Sequence, residues 1–189
     1  MTHQYLQDGI MEDLDAEPRI TLGTIGGVKV TATRHAWASV AAAGGLGVLR
    51  ELRSGKPLVA RVRSVVAFTL ALQITNAIHA GGHIAGGKLV ESPMDELVIT
   101  ATRFANLYEG DQSRQPSRVH IGRAIGGPVA NLAASALFDL GARKLPDGFC
   151  RELCTYLTTF NRAVGLGALL PFPPVDGGVI WREVRKAWK

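Results

Sequence analysis

Charged residues divide the chain into four apolar, uncharged runs. These runs cover residues 35–49, 64–87, 124–138 and 163–175. Only the second is long enough by itself to cross a hydrocarbon core, which takes roughly 20 helical residues. The others would cross only if flanking arginine and lysine side chains reach back to the interface. The pattern predicts a mainly α-helical, polytopic membrane protein with about four apolar helices, and a soluble protein with one buried central helix is the alternative.

Two segments have the character of β-structure. Residues 20–33 alternate partly between apolar and polar side chains around Gly26 and Gly27, which are typical of a tight turn, so they predict a β-hairpin. Residues 96–108 are rich in β-branched and aromatic side chains and predict a strand within a loop.

The fourth run can extend toward the N-terminus only if Arg162 lies in the middle of a helix, which is a costly position in a bilayer.

Composition narrows the class of protein. Hydrophobic residues make up 47% of the 189 residues and charged residues 20%, which excludes a disordered chain. Glycine is frequent, at 22 residues, and small residues let helices approach closely inside a membrane. The net charge of +5 does not indicate a nucleic-acid partner, because the basic residues flank apolar runs without the interleaved aromatic side chains of a stacking platform.

The ends of the chain differ in charge from its centre. Residues 1–19 form an acidic tail without the basic and apolar pattern of a secretory signal. We expect residues 20–185 to form a single membrane domain and residues 186–189 a basic C-terminal end.

The arginine-rich loop 50–63 predicts a cytoplasmic side, but with four spans the basic C-terminal end would lie on the other side. The two signals conflict, and the orientation stays open.

The first candidate for chemistry is a pair of histidines at the end of the longest run. His79 and His83 are four residues apart, so a helix projects both imidazoles from one face, where they can meet one cation. Zinc hydrolases use this arrangement when a helix supplies two ligands. Two packing histidines would have the same spacing, but ionisable side chains inside an apolar span are costly and usually functional.

Two further segments place polar residues at breaks in the apolar runs. Asp176 follows the proline-rich segment 171–174, and irregular backbone at membrane depth is tolerated where it lines a buried or water-filled cavity. The Asp176 carboxylate is therefore a candidate third metal ligand, although an Asp-Gly turn would have the same sequence. Asn131 follows Gly127 and Pro128 and is predicted either to hydrogen-bond a substrate or to pack between helices.

Together, and in this order, the three segments resemble the site-2 protease family of intramembrane zinc metalloproteases. The matching pieces are the His-x-x-x-His pair, Gly-Pro-x-x-Asn at 127–131 and Pro-x-Pro-x-x-Asp-Gly at 171–177. The stretch 23–37 is also similar to the family's lead into its first span. The resemblance extends over about residues 20–185, which is nearly the whole chain.

The resemblance implies a function and a set of site residues. One zinc ion per chain would be held by His79, His83 and Asp176, and Asn131 would contact the substrate or its oxyanion. The substrate or partner would be a transmembrane or membrane-proximal peptide, and the protein would lie in membrane lipid, in the plasma membrane of a prokaryote. The strand predicted at 96–108 would pair with an unwound substrate as an added β-strand, or else pack on the hairpin.

One departure from the family's pattern concerns the reaction itself. The family's zinc helix reads His-Glu-x-x-His, with the glutamate as general base, and here that position is Ala80. A general base contributes about 10²- to 10⁴-fold to the rate. Glu91, Glu109 and Asp111 follow the histidine helix and are candidates to replace it. The sequence thus predicts an impaired intramembrane metallopeptidase, and the alternative is a zinc-binding pseudoprotease that binds membrane peptides or partners without cleaving them.

Overall fold

The computed structural model of the protein describes residues 17–188. In chain order it consists of strands β1 (Arg19–Ile25) and β2 (Val28–Thr33), helices α1 (Trp37–Glu51) and α2 (Leu58–Leu89), strands β3 (Glu96–Ile99) and β4 (Phe104–Leu107), a short 3-10 turn (Gln112–Arg114), and helices α3 (Ser117–Lys144), α4 (Phe149–Ala168) and α5 (Asp176–Ala187). The fold is mainly helical with one small sheet, as predicted. Most of the predicted acidic tail, residues 1–16, lies outside the described residues, as does residue 189 of the basic end.

The helices number five in the described part of the chain, one more than predicted. The additional helix, α5, begins at Asp176, because the prolines of residues 171–174 prevent α4 from continuing and a new helix starts after them. Helix α4 begins well before the fourth apolar run and contains Arg162, whose side chain is exposed. Arg162 therefore lies within a helix, with its side chain outside the packing between helices.

The predicted hairpin is confirmed. β1 and β2 pair antiparallel around Gly26 and Gly27, whose φ angles of 57° and 86° lie in the left-handed region that glycine adopts without strain. β2 then pairs in parallel with β3, and β3 pairs antiparallel with β4. The sheet order is β1-β2-β3-β4, so β4 is an edge strand among the described residues.

The single strand predicted for residues 96–108 is wrong. This segment forms two strands, β3 and β4, joined by a tight turn at residues 100–103. In the turn, both the N–H and the hydroxyl of Thr100 donate to the carbonyl oxygen of Arg103, each at 2.9 Å. The turn contains no glycine, proline, asparagine or aspartate, so the composition carries no signal for it. Consequently β3 pairs with the hairpin, whereas β4 has no second partner strand among residues 17–188.

The sheet packs against the second half of α2. Side chains from β2, β3 and the loops beside them form an apolar cluster with two residues of that helix. The buried members of the cluster are Val28, Val30, Ala80, Ile84, Met94, Leu97 and Tyr108. Since α2 also carries the two histidines on this half, the sheet holds β4 beside the histidine-bearing part of the helix.

Helices α2 and α3 cross with their backbones in contact. A Cβ atom at Gly82 would lie 2.3 Å from the carbonyl oxygen of Gly126, and a Cβ atom at Gly126 would lie 2.2 Å from the carbonyl oxygen of Gly82. Both neighbours are backbone atoms, so no change of rotamer could make room for a side chain. The glycine pairs of the two apolar runs therefore bring α3 directly against the histidine helix.

Helix α2 is the one helix within residues 17–188 that is long and apolar enough to cross a membrane. Only 22% of its most apolar window is buried within the protein. The exposed large apolar side chains of this helix are Leu58, Val59, Val62, Val66, Leu70 and Leu89. The other described helices do not meet the same criterion, so the four predicted spans stay a prediction.

Candidate metal centre

The structure brings the three predicted ligands together. His79 and His83 project from α2, and Asp176 is the first residue of α5. The Nε2 atoms of the two histidines lie 3.0 Å apart. The Asp176 carboxylate oxygens lie 3.1 Å from His79 Nε2 and 3.5 Å from His83 Nε2. Side chains nearly a hundred residues apart in sequence thus converge on one point.

The spacing of these three donor atoms suits a tetrahedral metal ion. Zinc binds histidine nitrogen and carboxylate oxygen at about 2.0–2.2 Å, and tetrahedral angles then separate neighbouring ligand atoms by roughly 3.4 Å. The three observed separations, 3.0, 3.1 and 3.5 Å, are close to this value. Two imidazoles and one carboxylate are also a donor set that zinc accepts, with one position left open. The residues present therefore fit the ion.

The hydrogen bond behind His83 determines its tautomer. His83 Nδ1 lies 2.8 Å from the backbone carbonyl oxygen of Arg123 on α3. A carbonyl oxygen only accepts, so Nδ1 must carry the hydrogen and donate it. The lone pair of His83 is then on Nε2, which faces the cluster, and a metal ligand needs this arrangement.

His79 is held in the same way by Asn131. The Asn131 Nδ2 atom donates to the backbone carbonyl of Thr75 at 3.2 Å and to Asn161 Oδ1 at 2.7 Å, which identifies the nitrogen end of the amide. Asn131 Oδ1 therefore faces His79 Nδ1, at 2.5 Å, and accepts its hydrogen. Both histidines thus present an Nε2 lone pair to the same point, beside a carboxylate.

The position of Asn131 differs from the one that a substrate contact requires. Its side chain is 0% exposed, is not part of the cavity wall, and uses both ends of its amide on protein groups. A hydrogen bond to a substrate or oxyanion would need these bonds to break. The geometry supports an orienting role behind His79 instead.

Asn161 and Thr75 complete the network, and neither was predicted from the sequence. Asn161 Nδ2 donates to the carbonyl of Leu157 at 2.8 Å and to Thr75 Oγ1 at 3.0 Å, so α2, α3 and α4 are joined by buried hydrogen bonds. A signal for Thr75 does exist in the sequence, because it precedes His79 by four residues and so shares its helix face. Asn161 has no comparable signal.

Gly127 makes room for the two imidazoles. A Cβ atom at this position would lie 2.6 Å from His83 Nε2 and 2.7 Å from His79 Cε1. The backbone of α3 therefore passes directly beside the point where the ligands meet. Any side chain at residue 127 would displace the rings from the geometry that the three donor atoms share.

Close packing on two sides positions the helix that begins with Asp176. A Cβ atom at Gly177 would lie 2.3 Å from the carbonyl oxygens of Leu169 and Leu170, so only glycine fits after the ligand. Further along α5, the Ser117 hydroxyl at the start of α3 donates to the buried Glu183 carboxylate at 3.0 Å. Helix α5 is thus anchored both at the candidate ligand Asp176 and about two turns beyond it.

The cluster borders a cavity of about 100 Å³ with two different walls. The helical wall consists of His79, Ala80, His83, Arg123, Ala124, Asp176 and Val179. The strand wall consists of Arg103, Phe104, Ala105, Asn106 and Tyr108, which belong to β4 or adjoin it. The cavity therefore lies between the three predicted ligands and the free strand of the sheet.

The position predicted to lack a general base belongs to this cavity. Ala80 lines it and is 2% exposed. Asp176 is the one carboxylate on the walls as far as residues 17–188 are concerned, and Glu91, Glu109 and Asp111 are not part of them. None of the three candidates thus replaces a glutamate at residue 80.

Comparison with known proteins supports the fold. No family model and no curated protein matches the chain. Among solved structures, the chain is similar to the site-2 protease from Methanocaldococcus jannaschii, with 16% sequence identity and a TM-score of 0.63. The match covers 90% of this chain and 73% of that one. The protein therefore has a site-2 protease-like fold.

Proposed function

We propose that the protein is a membrane-embedded, site-2 protease-like zinc protein that binds extended peptides and hydrolyses them poorly. One observation carries the proposal. Two Nε2 lone pairs and the Asp176 carboxylate converge within 3.5 Å, which is unfavourable unless a cation lies between them. Bound zinc would supply Lewis acidity, polarising a carbonyl group and lowering the pKa of water to about 7. The chain's own part is to hold His79, His83 and Asp176 in position.

The exposed apolar surface supports a location in the membrane. The most apolar part of α2 is mostly unburied, whereas the core helix of a soluble protein would be covered on all sides. Leu46 and Leu49 on α1 and Leu137 and Leu140 on α3 are also exposed. Apolar surface spread over several neighbouring helices suits contact with lipid.

The free edge of β4 supports an extended peptide as the ligand. The backbone N–H and C=O groups of alternate residues in an edge strand face away from the partner strand and are open to pairing. In this protein that strand forms a wall of the cavity, opposite the three predicted ligands. A peptide added along β4 would therefore run past the metal centre with its carbonyl groups accessible, which a helical peptide would not allow.

Ala80 supports the alternative of a pseudoprotease. The methyl group of alanine cannot accept a proton, and the walls of the cavity offer Asp176 as their sole carboxylate within the described residues. A protein with this site would bind zinc and membrane peptides without cleaving them at a useful rate. The two candidates share the zinc site and the peptide and differ only in turnover.

A zinc determination tests the proposed centre. Protein purified with zinc in the buffers should contain about one zinc ion per chain, and His83→Ala and Asp176→Ala should each lose it. His35→Ala is the matched control, because His35 is exposed and lies outside the cluster. Wild-type protein without zinc, or loss of zinc in the control alone, would contradict the proposal.

Restoring the glutamate separates the peptidase from the pseudoprotease. Ala80→Glu should raise cleavage of a model single-span peptide in detergent micelles by about 10²- to 10⁴-fold, the usual contribution of a general base. Ala80→Gln, which has the same size but no basic carboxylate, is the control and should not raise it. If the wild type cleaves as fast as Ala80→Glu, the pseudoprotease alternative is wrong. The proposal that Ala80 impairs hydrolysis is then wrong as well.

A further inference from the structure

Two polar side chains on the strand wall each carry an atom that makes no hydrogen bond within the described residues. Tyr108 is 1% exposed and lines the cavity, and its hydroxyl makes no hydrogen bond to any residue between 17 and 188. The Oδ1 atom of Asn106 is also buried, and it likewise lacks a hydrogen-bond partner. Leaving a buried atom such as Asn106 Oδ1 unpaired costs roughly 1–3 kcal/mol, so most buried polar groups in proteins are paired.

The two side chains lie on the same side of the strand. Asn106 is in β4 and Tyr108 directly follows it, and residues two apart in a strand project to the same face. Both line the cavity that also borders His79, His83 and Asp176. Both residues therefore line the space that lies against the candidate metal centre.

The Tyr108 ring is held in place from behind. The Arg123 guanidinium carbon lies 3.7 Å from the centroid of the ring. Arg123 is itself fixed, because its side chain donates to the backbone carbonyl of Ser92 at 2.9 Å and to Gln112 Oε1 at 2.7 Å. The hydroxyl is thus presented to the cavity by a rigid support, although nothing in the described chain bonds to it.

A peptide group offers the hydrogen-bonding groups that the Tyr108 hydroxyl and Asn106 Oδ1 lack. A tyrosine hydroxyl can donate to a carbonyl oxygen, and an amide oxygen can accept from an N–H, which are the two groups that a peptide bond offers. Burial raises the pKa of Tyr108 to about 12, so the hydroxyl keeps its hydrogen at neutral pH. Asn131 cannot serve as the donor, because its amide is already bonded to His79, Thr75 and Asn161.

We propose that Tyr108 and Asn106 hold the peptide group of a bound substrate against the metal centre. Tyr108 donates to the carbonyl oxygen, on which negative charge develops when the carbonyl carbon is attacked, and Asn106 Oδ1 accepts from a peptide N–H. The inference rests on the proposed function, because it takes an extended peptide as the ligand of the cavity. It adds the residues that recognise that ligand.

The test uses a capped dipeptide phosphinate, whose tetrahedral oxygens imitate the attacked carbonyl group. Its dissociation constant is measured by calorimetry on zinc-loaded, full-length protein in detergent. Tyr108→Phe should weaken binding by about 10- to 100-fold, the loss expected for one hydrogen bond to a charged oxygen. Zinc content and unfolding temperature should not change, because the hydroxyl bonds to no described residue.

Two further variants make the test specific. Tyr156→Phe is the matched control, since the Tyr156 hydroxyl pairs with Ser64 Oγ at 2.8 Å and lies outside the cavity, and it should leave the phosphinate affinity unchanged. Asn106→Leu removes the acceptor at nearly constant volume and should also weaken binding. It tests the proposal independently of the way Tyr108→Phe folds.

The outcomes separate this inference from the proposed function. If Tyr108→Phe and Asn106→Leu contain zinc and bind the phosphinate as tightly as the wild type, ordered water satisfies both atoms and the inference is overturned, while the zinc centre stands. If wild-type protein contains no zinc, the proposed function is overturned and the inference falls with it.

Discussion

The polar atoms on the two sides of the cavity differ in whether they are hydrogen-bonded within the protein. On the helical side, the Nδ1 atom of each histidine and both ends of the Asn131 amide are bonded to protein groups. On the strand side, Asn106 Oδ1 is buried without a hydrogen-bond partner in the described chain. The Tyr108 hydroxyl lies in a residue that lines the cavity and makes no hydrogen bond to residues 17–188. The helical wall, whose polar atoms are hydrogen-bonded within the protein, suits an ion that must stay in one position. The strand wall, with polar atoms left unbonded, suits a ligand that binds and dissociates.

The difference also concerns how each wall is kept rigid. The helical wall is joined by hydrogen bonds across α2, α3 and α4, and buried networks of this kind are costly to break at any member. The strand wall is supported by stacking of Arg123 on the Tyr108 ring, which does not use the Tyr108 hydroxyl. Removing one polar atom should therefore change stability or zinc affinity strongly on the helical side and only slightly on the strand side.

The largest expected effect comes from the backbone packing that supports the helical wall. Gly126→Ala would put a Cβ atom 2.2 Å from the carbonyl oxygen of Gly82, so α2 and α3 must separate. Overpacking typically destabilises by about 1–3 kcal/mol, and contact with backbone belongs at or above the top of that range. Thermal unfolding in detergent measures the change.

Gly81→Ala is the control for this prediction, because a Cβ atom at Gly81 meets nothing within 4 Å. It should stabilise the protein by up to about 1 kcal/mol through helix propensity alone. Equal unfolding temperatures for Gly126→Ala and the wild type would show that the two helices are not in backbone contact.

The next effect is on the metal centre itself. Gly127→Ala would bring a Cβ atom to 2.6 Å from His83 Nε2, so at least one imidazole must leave the cluster. Zinc affinity should fall by more than the roughly 10- to 100-fold that loss of an orienting residue causes. Competition with a chelator measures it, and Gly167→Ala, with open space around its Cβ position, should bind zinc normally. Unchanged affinity in Gly127→Ala would place the ion elsewhere.

A smaller loss should follow when the orienting amide is removed. Asn131→Ala leaves His79 Nδ1 without its acceptor and should weaken zinc binding by about 10- to 100-fold. Asn161→Ala should have a weaker effect, because Asn161 acts on His79 only through Asn131. Asn106→Ala, on the strand wall, is the control and should leave the zinc affinity as it is. If it weakens zinc binding as much as Asn131→Ala, the distinction between the walls is wrong.

The smallest effect is expected on the strand wall. Tyr108→Phe removes a hydroxyl that bonds to no described residue, so the free energy of unfolding should change by less than about 0.5 kcal/mol, or rise slightly. Tyr156→Phe removes a hydroxyl that is hydrogen-bonded to Ser64 and to Arg50 and should cost about 1–3 kcal/mol. Denaturant titration of the two variants compares them directly. A larger loss for Tyr108→Phe would mean that its hydroxyl already has a partner.

The features that could be predicted from the sequence are the local ones. The Gly26-Gly27 turn and the flanking alternation identify the hairpin, and the spacing of His79 and His83 identifies one helix face. The position of Asp176 after the proline-rich segment made it a candidate third ligand, with an Asp-Gly turn as the alternative, and the family resemblance favoured the ligand. The turn at residues 100–103 was missed because it contains none of the usual turn residues, so one strand was predicted where there are two.

By itself, the sequence determined the apolar runs, the two-histidine face and the alanine at residue 80, because each depends on residue type and on spacing within one element. The tertiary structure decided which groups meet. Asn131, predicted either to contact a substrate or to pack between helices, bonds to His79 and to Asn161 of α4, and the position of β4 brings Tyr108 to the cavity beside the candidate metal centre. Such outcomes depend on contacts between elements far apart in the chain, which periodicity along one element does not encode.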